Sequence, residues 1–354
     1  IDARADHSMR VPRPDLSLQL GTPNACNACH ADQDAEWAVA AMSEWYGPEW
    51  SKRPHYGEAI AAGQSGAVDA PARLLALAAD ADQPGIARAT AIELLTQRLE
   101  PGHLQQLPAL LADADPLVRR AAVGWLDAVD APLRYRYGMP LLEDPDRSVR
   151  LAAARALAPL ERNELPDSEQ ATLTAALEAY EGAQGVNADR PESHLNIGLV
   201  EMAHGKVVKA RKAYQQALTL DPAFVPAYAN LADLYRALGS DTEAEETLRA
   251  GLERAPDSAA LHHALGLLQV RQKQPLQAIE SLRKATELAP DDARYAYVYA
   301  LALNGQGKPE EALAVLRAAN AKSPADRDIL IALVTTNRDA GNSDAAADFT
   351  RRLQ

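Results

Sequence analysis

Cys26, Cys29 and His30 stand in one run, Cys26-Asn27-Ala28-Cys29-His30, and the chain has no other cysteine. At this spacing two thiols can form thioether bonds to one haem macrocycle while the adjacent imidazole ligates its iron. Two other chemistries use close cysteine pairs. A zinc site needs a fourth ligand and usually a second cysteine pair, which this sequence lacks. A thioredoxin-like redox pair belongs between a strand and a helix, and the flanks Gly21-Thr22-Pro23 and Ala31-Asp32 carry no strand pattern. A disulfide across so short a loop would add little stability through chain entropy. The residues favour one haem c per chain, with Cys26 and Cys29 as thioethers and His30 as proximal ligand.

A sixth ligand would set the potential and decide whether the iron is open to small molecules. His7, Met9, Met42 and His55 are the residues near enough in sequence. His7 leads, because it lies in the irregular stretch Asp6-His7-Ser8-Met9-Arg10, where ligation would explain local order. It could serve the haem of its own chain or one on a neighbouring chain. Met9 and Met42 read as packing residues and His55 as a surface residue. Elsewhere His194 and His262 are expected between helices, His204 and His263 at the surface, and His103 at a helix start.

The elements around these residues are helical. Residues 1–31 contain Pro12, Pro14, Gly21 and Pro23 and show no sustained helical period, so an extended, loop-rich segment is expected. Asp32 to Tyr46 reads as a helix capped by Asp32 or Asp34, with Trp37, Ala41 and Trp45 on one face and Gly47-Pro48 as its stop. From Ala70 to about Leu160, Arg88, Arg119 and Arg150 recur at 31-residue steps, in register with Ala91, Ala122 and Ala153 and with Leu95, Leu126 and Leu157. Asp115-Pro116 and Asp144-Pro145 turns should start the second helix of their hairpins. This resembles a short HEAT-type repeat.

From about Pro191 the period becomes 34. Gly198, Ala232, Gly266, Ala300 and Val334 form one row, and Ala210, Ala244, Ala278, Ala312 and Ala346 a second. Ala217, Gly251, Ala285 and Ala319 form a third, and Pro222, Pro256, Pro290 and Pro324 a fourth. The pattern is similar to the tetratricopeptide repeat, with small residues at the crossing of its two helices and a proline ending the second. A degenerate forerunner is expected over 171–190, and Val334 should loosen the last crossing. The resemblance implies a groove lined by the first helix of each repeat, with Glu192, Leu195, Leu199, Met202, Ala229, Asp233 and Arg236 among its lining.

The predicted fold is therefore all-α. A haem-binding segment with short helices spans 1–66, HEAT-like repeats span 67–162, and a tetratricopeptide α-solenoid spans 163–354. A chain of 354 residues is too long for one compact core. The net charge of −13 disfavours nucleic acid as a partner. No apolar run approaches the ~18 residues of a transmembrane helix. The start at Ile1 without Met reads as a processed or truncated product. No G-x-S-x-G, P-loop or H-E-x-x-H run is present, and pairs such as Glu245-Glu246 read as solvated faces.

Residues 6–16 and 21–30 together resemble the C-terminal end of a multihaem cytochrome c region that precedes tetratricopeptide repeats. The resemblance implies a distal-ligand role for His7. The chain departs from it in carrying a single haem motif. Covalent haem attachment takes place outside the cytoplasm, so a periplasmic or extracellular location is expected. The leading functional expectation is an electron-relaying cytochrome that meets a redox partner or another haem-bearing chain, alone or as a homo-oligomer or filament. The alternatives are a scaffold module of a larger multihaem enzyme, and a haem enzyme with an open iron position.

Overall fold

In the computed structural model of this protein the described residues are 12–52, 54–96, 98–160, 165–324 and 326–353. Among them every regular element is helical, and a break between Gln105 and Gln106 divides the chain into two compact units. The first contains α1 (Pro14–Leu20), α2 (Ala25–Cys29), α3 (Ala35–Tyr46), α4 (Tyr56–Ser65), α5 (Ala70–Ala79) and α6 (Gly85–Thr96). The second begins with the short α7 (Leu107–Leu111), α8 (Pro116–Val123), α9 (Ala131–Gly138) and α10 (Arg147–Leu157), then α11 (Asp167–Gly185). Five helical hairpins follow: α12 (Pro191–Ala203) with α13 (Val207–Leu220), α14 (Val225–Ala237) with α15 (Asp241–Arg254), α16 (Ala259–Arg271) with α17 (Pro275–Leu288), α18 (Ala293–Gly305) with α19 (Pro309–Lys322), and α20 (Arg327–Asp339) with α21 (Ser343–Arg352). Neighbouring hairpins pack in sequence order and form an α-solenoid.

The first unit corrects one expectation. Residues 14–20 and 25–29 are not extended: they form α1 and α2. Pro14 starts α1, where its fixed φ and missing N–H cost nothing, and Gly21 ends it at φ 70. Leu16 is buried, and α1 packs on α3 and α4. The segment lacks a helical period because each helix is too short to show one.

The arginines spaced at 31 residues have one task in common. Arg88 Nε donates to the Ala78 carbonyl at 3.0 Å, Arg119 Nη1 to the Asp113 carbonyl at 2.8 Å, and Arg150 Nη1 to the Asp144 carbonyl at 2.6 Å. Arg119 and Arg150 satisfy a carbonyl in the turn before their own helix, and Arg88 one in the last turn of the preceding helix α5. Arg119 also grips Asp144 through two 2.8 Å bonds, which hold that carboxyl below the usual carboxylate range. Asp115 caps α8, whereas α10 is capped by Asp146, two residues beyond the expected Asp-Pro start.

In the solenoid the alanine and glycine rows sit at the helix crossings. The row from Ala210 to Ala346 is buried throughout. A Cβ added to Gly266 would meet Leu282 Cγ at 2.6 Å, and one added to Gly198 would overlap the Tyr214 ring. Val334 is accommodated and buried among its neighbours. Helices α13, α15, α17 and α19 each end two residues before a member of the proline row. A further row fixes the start of the first helix: the ring groups of His194 and His262 bond the carbonyls of Ala188 and Pro256 at 2.9 Å, and Tyr228 donates to that of Pro222 at 3.0 Å.

The turn between the two helices of a repeat needs a left-handed residue. Gly205, Gly239, Gly307 and Gly341 supply it at φ 70–78, and Lys273 holds the same place at φ 60. An L side chain is sterically disfavoured there. Lys273→Gly is expected to stabilise the protein by about 1 kcal/mol, seen as a higher urea midpoint with an unchanged slope. An unchanged or lower midpoint would show that the lysine carries no strain.

Candidate functional site

The Cys-x-x-Cys-His run is positioned by two asparagines inside and beside it. Asn24 caps α2 by accepting from the Asn27 N–H at 3.1 Å, and its amide donates to Ser17 Oγ at 3.1 Å, tying α2 to α1. Asn27 donates to the Gln33 carbonyl at 2.7 Å, closing the turn that follows His30. The His30 N–H bonds the Cys26 carbonyl at 2.8 Å and ends the helix. Both cysteines are free thiols, and three residues apart on one helical turn they share a face.

Asp34 caps α3 through the Trp37 N–H at 2.8 Å, as one of the two expected caps, and Gly47 ends it. The Trp37, Ala41 and Trp45 face then meets α2. A cavity of about 240 Å3 lies between them, lined by Cys26, Cys29 and His30 on one side and by Trp37, Met42 and Trp45 on the other. The His30 and Trp37 rings touch, with centroids 4.7 Å apart and planes at 49°. Met42 is buried, but Trp45 is 67% exposed at the rim. Large aromatic surface left in water beside two thiols and an imidazole is a site in want of an apolar occupant.

These residues fit a covalently held haem: two sulfurs for thioethers, an imidazole for iron, and an apolar wall for the macrocycle. No strand occurs among the described residues, so the setting of a thioredoxin-like pair is not found there. Nor do three or more His, Cys, Asp or Glu side chains converge as a metal cluster among those residues. His7 and Met9 lie outside the described residues. His55 accepts from the Gly57 N–H at 3.0 Å and caps α4.

The residues expected in the repeat groove divide. Glu192, Leu199, Asp233 and Arg236 are exposed, the last two paired at 3.1 Å. Leu195 and Met202 are half-buried against Ala210, Tyr214 and Leu231, and Ala229 against the Tyr228–Leu248 cluster. The same rows run on into the later repeats. Leu267, Val270, Leu301 and Ile331 are 41–50% exposed and continue the lining of the later repeats as an apolar surface. Extending the 34-residue step from Leu199 and Met202 would have found Leu267, Leu301 and Val270.

Family models of the tetratricopeptide repeat match residues 201–268, and residues 169–223 with 263–327. Residues 169–327 are tetratricopeptide repeats. The matches begin within α11, where the degenerate forerunner was expected. Among solved structures, the MamA protein is 21% identical, covering 46% of this chain and 89% of that one, with a TM-score of 0.40. YrrB, described as a tetratricopeptide-repeat protein with an unusual peptide-binding site, is 22% identical over 50% of this chain and 91% of its own, with a TM-score of 0.39. PilF of Pseudomonas aeruginosa is 16% identical over 63% and 89%, with a TM-score of 0.42. No curated protein gives a significant match. No helix among the described residues is long and apolar enough to cross a membrane.

One histidine reverses its expected place. His263 is 4% exposed, its two nitrogens have no hydrogen-bond partner among the described residues, and its ring packs on Tyr295 with centroids 4.7 Å apart. Burial, aided by the nearby Arg294 charge and opposed by Asp292, pushes its pKa down to about 4. An unfolded chain would protonate this residue near its ordinary 6.5. The neutral ring therefore contributes fully above that value, and its contribution falls as pH drops to about 4. The loss is roughly 3 kcal/mol. Denaturant midpoints between pH 6.5 and 4 should fall less steeply in His263→Phe than in the parent; parallel slopes would contradict the assignment.

Proposed function

We propose that this protein is an extracytoplasmic c-type cytochrome that relays electrons through one covalent haem and docks a partner protein on its helical repeats. The observation that carries this reading is the shared cavity of Cys26, Cys29 and His30 with Trp37, Met42 and Trp45. When bound, the haem supplies a one-electron iron couple. Cys26 and Cys29 hold it by thioethers, and His30 ligates the iron. Trp37 buttresses the imidazole, and Trp45 gives up exposed apolar surface to the macrocycle. His7 is proposed as the distal ligand, in this chain or toward a neighbouring haem. The repeats suit protein–protein interaction, and the proposed partner is a redox protein or a second haem-bearing chain.

A scaffold without redox function is the second reading, favoured by the family matches falling on the repeats alone. Intact mass separates the two. Protein matured in a host with an extracytoplasmic haem-attachment system should carry one haem mass, and Cys26→Ala/Cys29→Ala should carry none. An unmodified parent would leave the scaffold reading. The reduced protein should also fail to bind carbon monoxide, since an electron-transfer iron has both axial positions filled; binding would favour an open catalytic iron.

A further inference from the structure

The packing between the third and fourth hairpins differs from its neighbours. Between the second and third, Arg271 reaches back to Asp241 at 3.0 Å. Between the fourth and fifth, Asn304 bonds Asp339 at 2.8 Å. Gly305 and Pro275 stand 34 residues after Arg271 and Asp241 and can form no such bridge. A cavity of about 390 Å3 opens there. Val270, Pro275, Leu301 and Ala302 make its apolar wall, with Lys273 and Gly305 beside them. Val270 and Leu301 are half-exposed and continuous with the apolar row that includes Leu267.

Lys273 is the second observation. It occupies the left-handed turn position at which the other four repeats place glycine. A strained residue retained in one repeat of five invites a reason. Its side chain is exposed at the cavity and makes no ion pair among the described residues. An apolar recess lined in part by an exposed lysine with no ion pair among the described residues complements a ligand that is apolar at one end and anionic at the other.

We propose that this cavity docks a partner-protein segment presenting one apolar side chain beside a carboxylate, the side chain seated against Val270 and Leu301 and the carboxylate paired with Lys273. The proposal rests on the reading of the repeats as a docking surface. The recess has room for a bulky side chain and its flanking groups but not for a folded element, so it anchors a segment and the rest of the row adds contact area. A Cβ on Gly305 would meet nothing within 4 Å, so a side chain can be introduced there to fill the recess without disturbing the helix crossing.

The test is a titration of the full chain, carrying 13C-labelled Ile, Leu and Val methyl groups, with N-acetyl-phenylalanine and separately with N-acetyl-phenylalaninamide. Methyl signals of Val270 and Leu301 are expected to shift with both. The acid should bind roughly two- to fivefold tighter, as a partly exposed ion pair allows. Lys273→Gln should erase that preference and leave amide binding unchanged. Gly305→Leu should weaken both ligands while thermal melting stays near the parent's. Equal affinity for acid and amide in the parent would overturn the proposal. Shifts confined to Leu199, Leu267 and Ile331 would overturn the pocket while leaving the docking reading in place. Saturating probe with no shift on any inner-row methyl would count against both.

Discussion

Two helices can approach closely only where no side chain stands between their backbones, and that constraint organises the solenoid. Gly198, Ala232, Gly266 and Ala300 meet the second helix of their repeats, and Ala210, Ala244, Ala278 and Ala312 answer from the other side. Placing those small residues at a strict 34-residue step repeats one crossing, and the repeated crossing aligns the first helices in a row. The inner row of side chains exists because of this alignment. Positions such as Leu199, Asp233, Leu267 and Leu301 can vary in chemistry because none of them carries the packing.

The cysteine-bearing helix α2 is held by interactions of another kind. No repeat supports α2, which is five residues long. Its position comes from polar side chains: Asn24 to Ser17, Asn27 to the Gln33 carbonyl, and the Asp34 cap that sets the start of α3. A helix of this length is not stable by itself, so these bonds and the apolar wall of α3 together hold the two sulfurs and the imidazole on one cavity. Covalent attachment of a macrocycle there would bury Trp45 and add a cross-link to a region that is otherwise lightly packed.

Legibility in the sequence followed the range of the interactions. The solenoid was visible because its signal repeats, and four rows in phase over several units leave little freedom. The α3 helix was visible through Asp34, its Trp37–Trp45 face and Gly47. Helices α1 and α2 were not, since seven and five residues are too few to show a period, and α2 is tied to α1 by the Asn24–Ser17 bond rather than by a pattern of its own. His263 was misplaced for a related reason. Its position in the repeat points toward the groove, but the bulky Tyr295 of the next repeat covers it. The cavity by Gly305 was invisible because its wall joins residues of two consecutive repeats, which only the folded backbone brings together. The arginine row was legible as a period, while its purpose, satisfying a carbonyl just upstream of each arginine's helix, required the folded backbone.

The central claim is that Cys26, Cys29 and His30 carry a covalent haem seated against the apolar wall of α3. The most direct measurement is the pyridine haemochrome spectrum of the purified, acid–acetone-extracted chain, matured where haem attachment is possible. The account predicts a c-type spectrum with one haem per chain retained after extraction. A chain that retains no haem would contradict it, and would leave the repeats beside an unexplained cysteine pair.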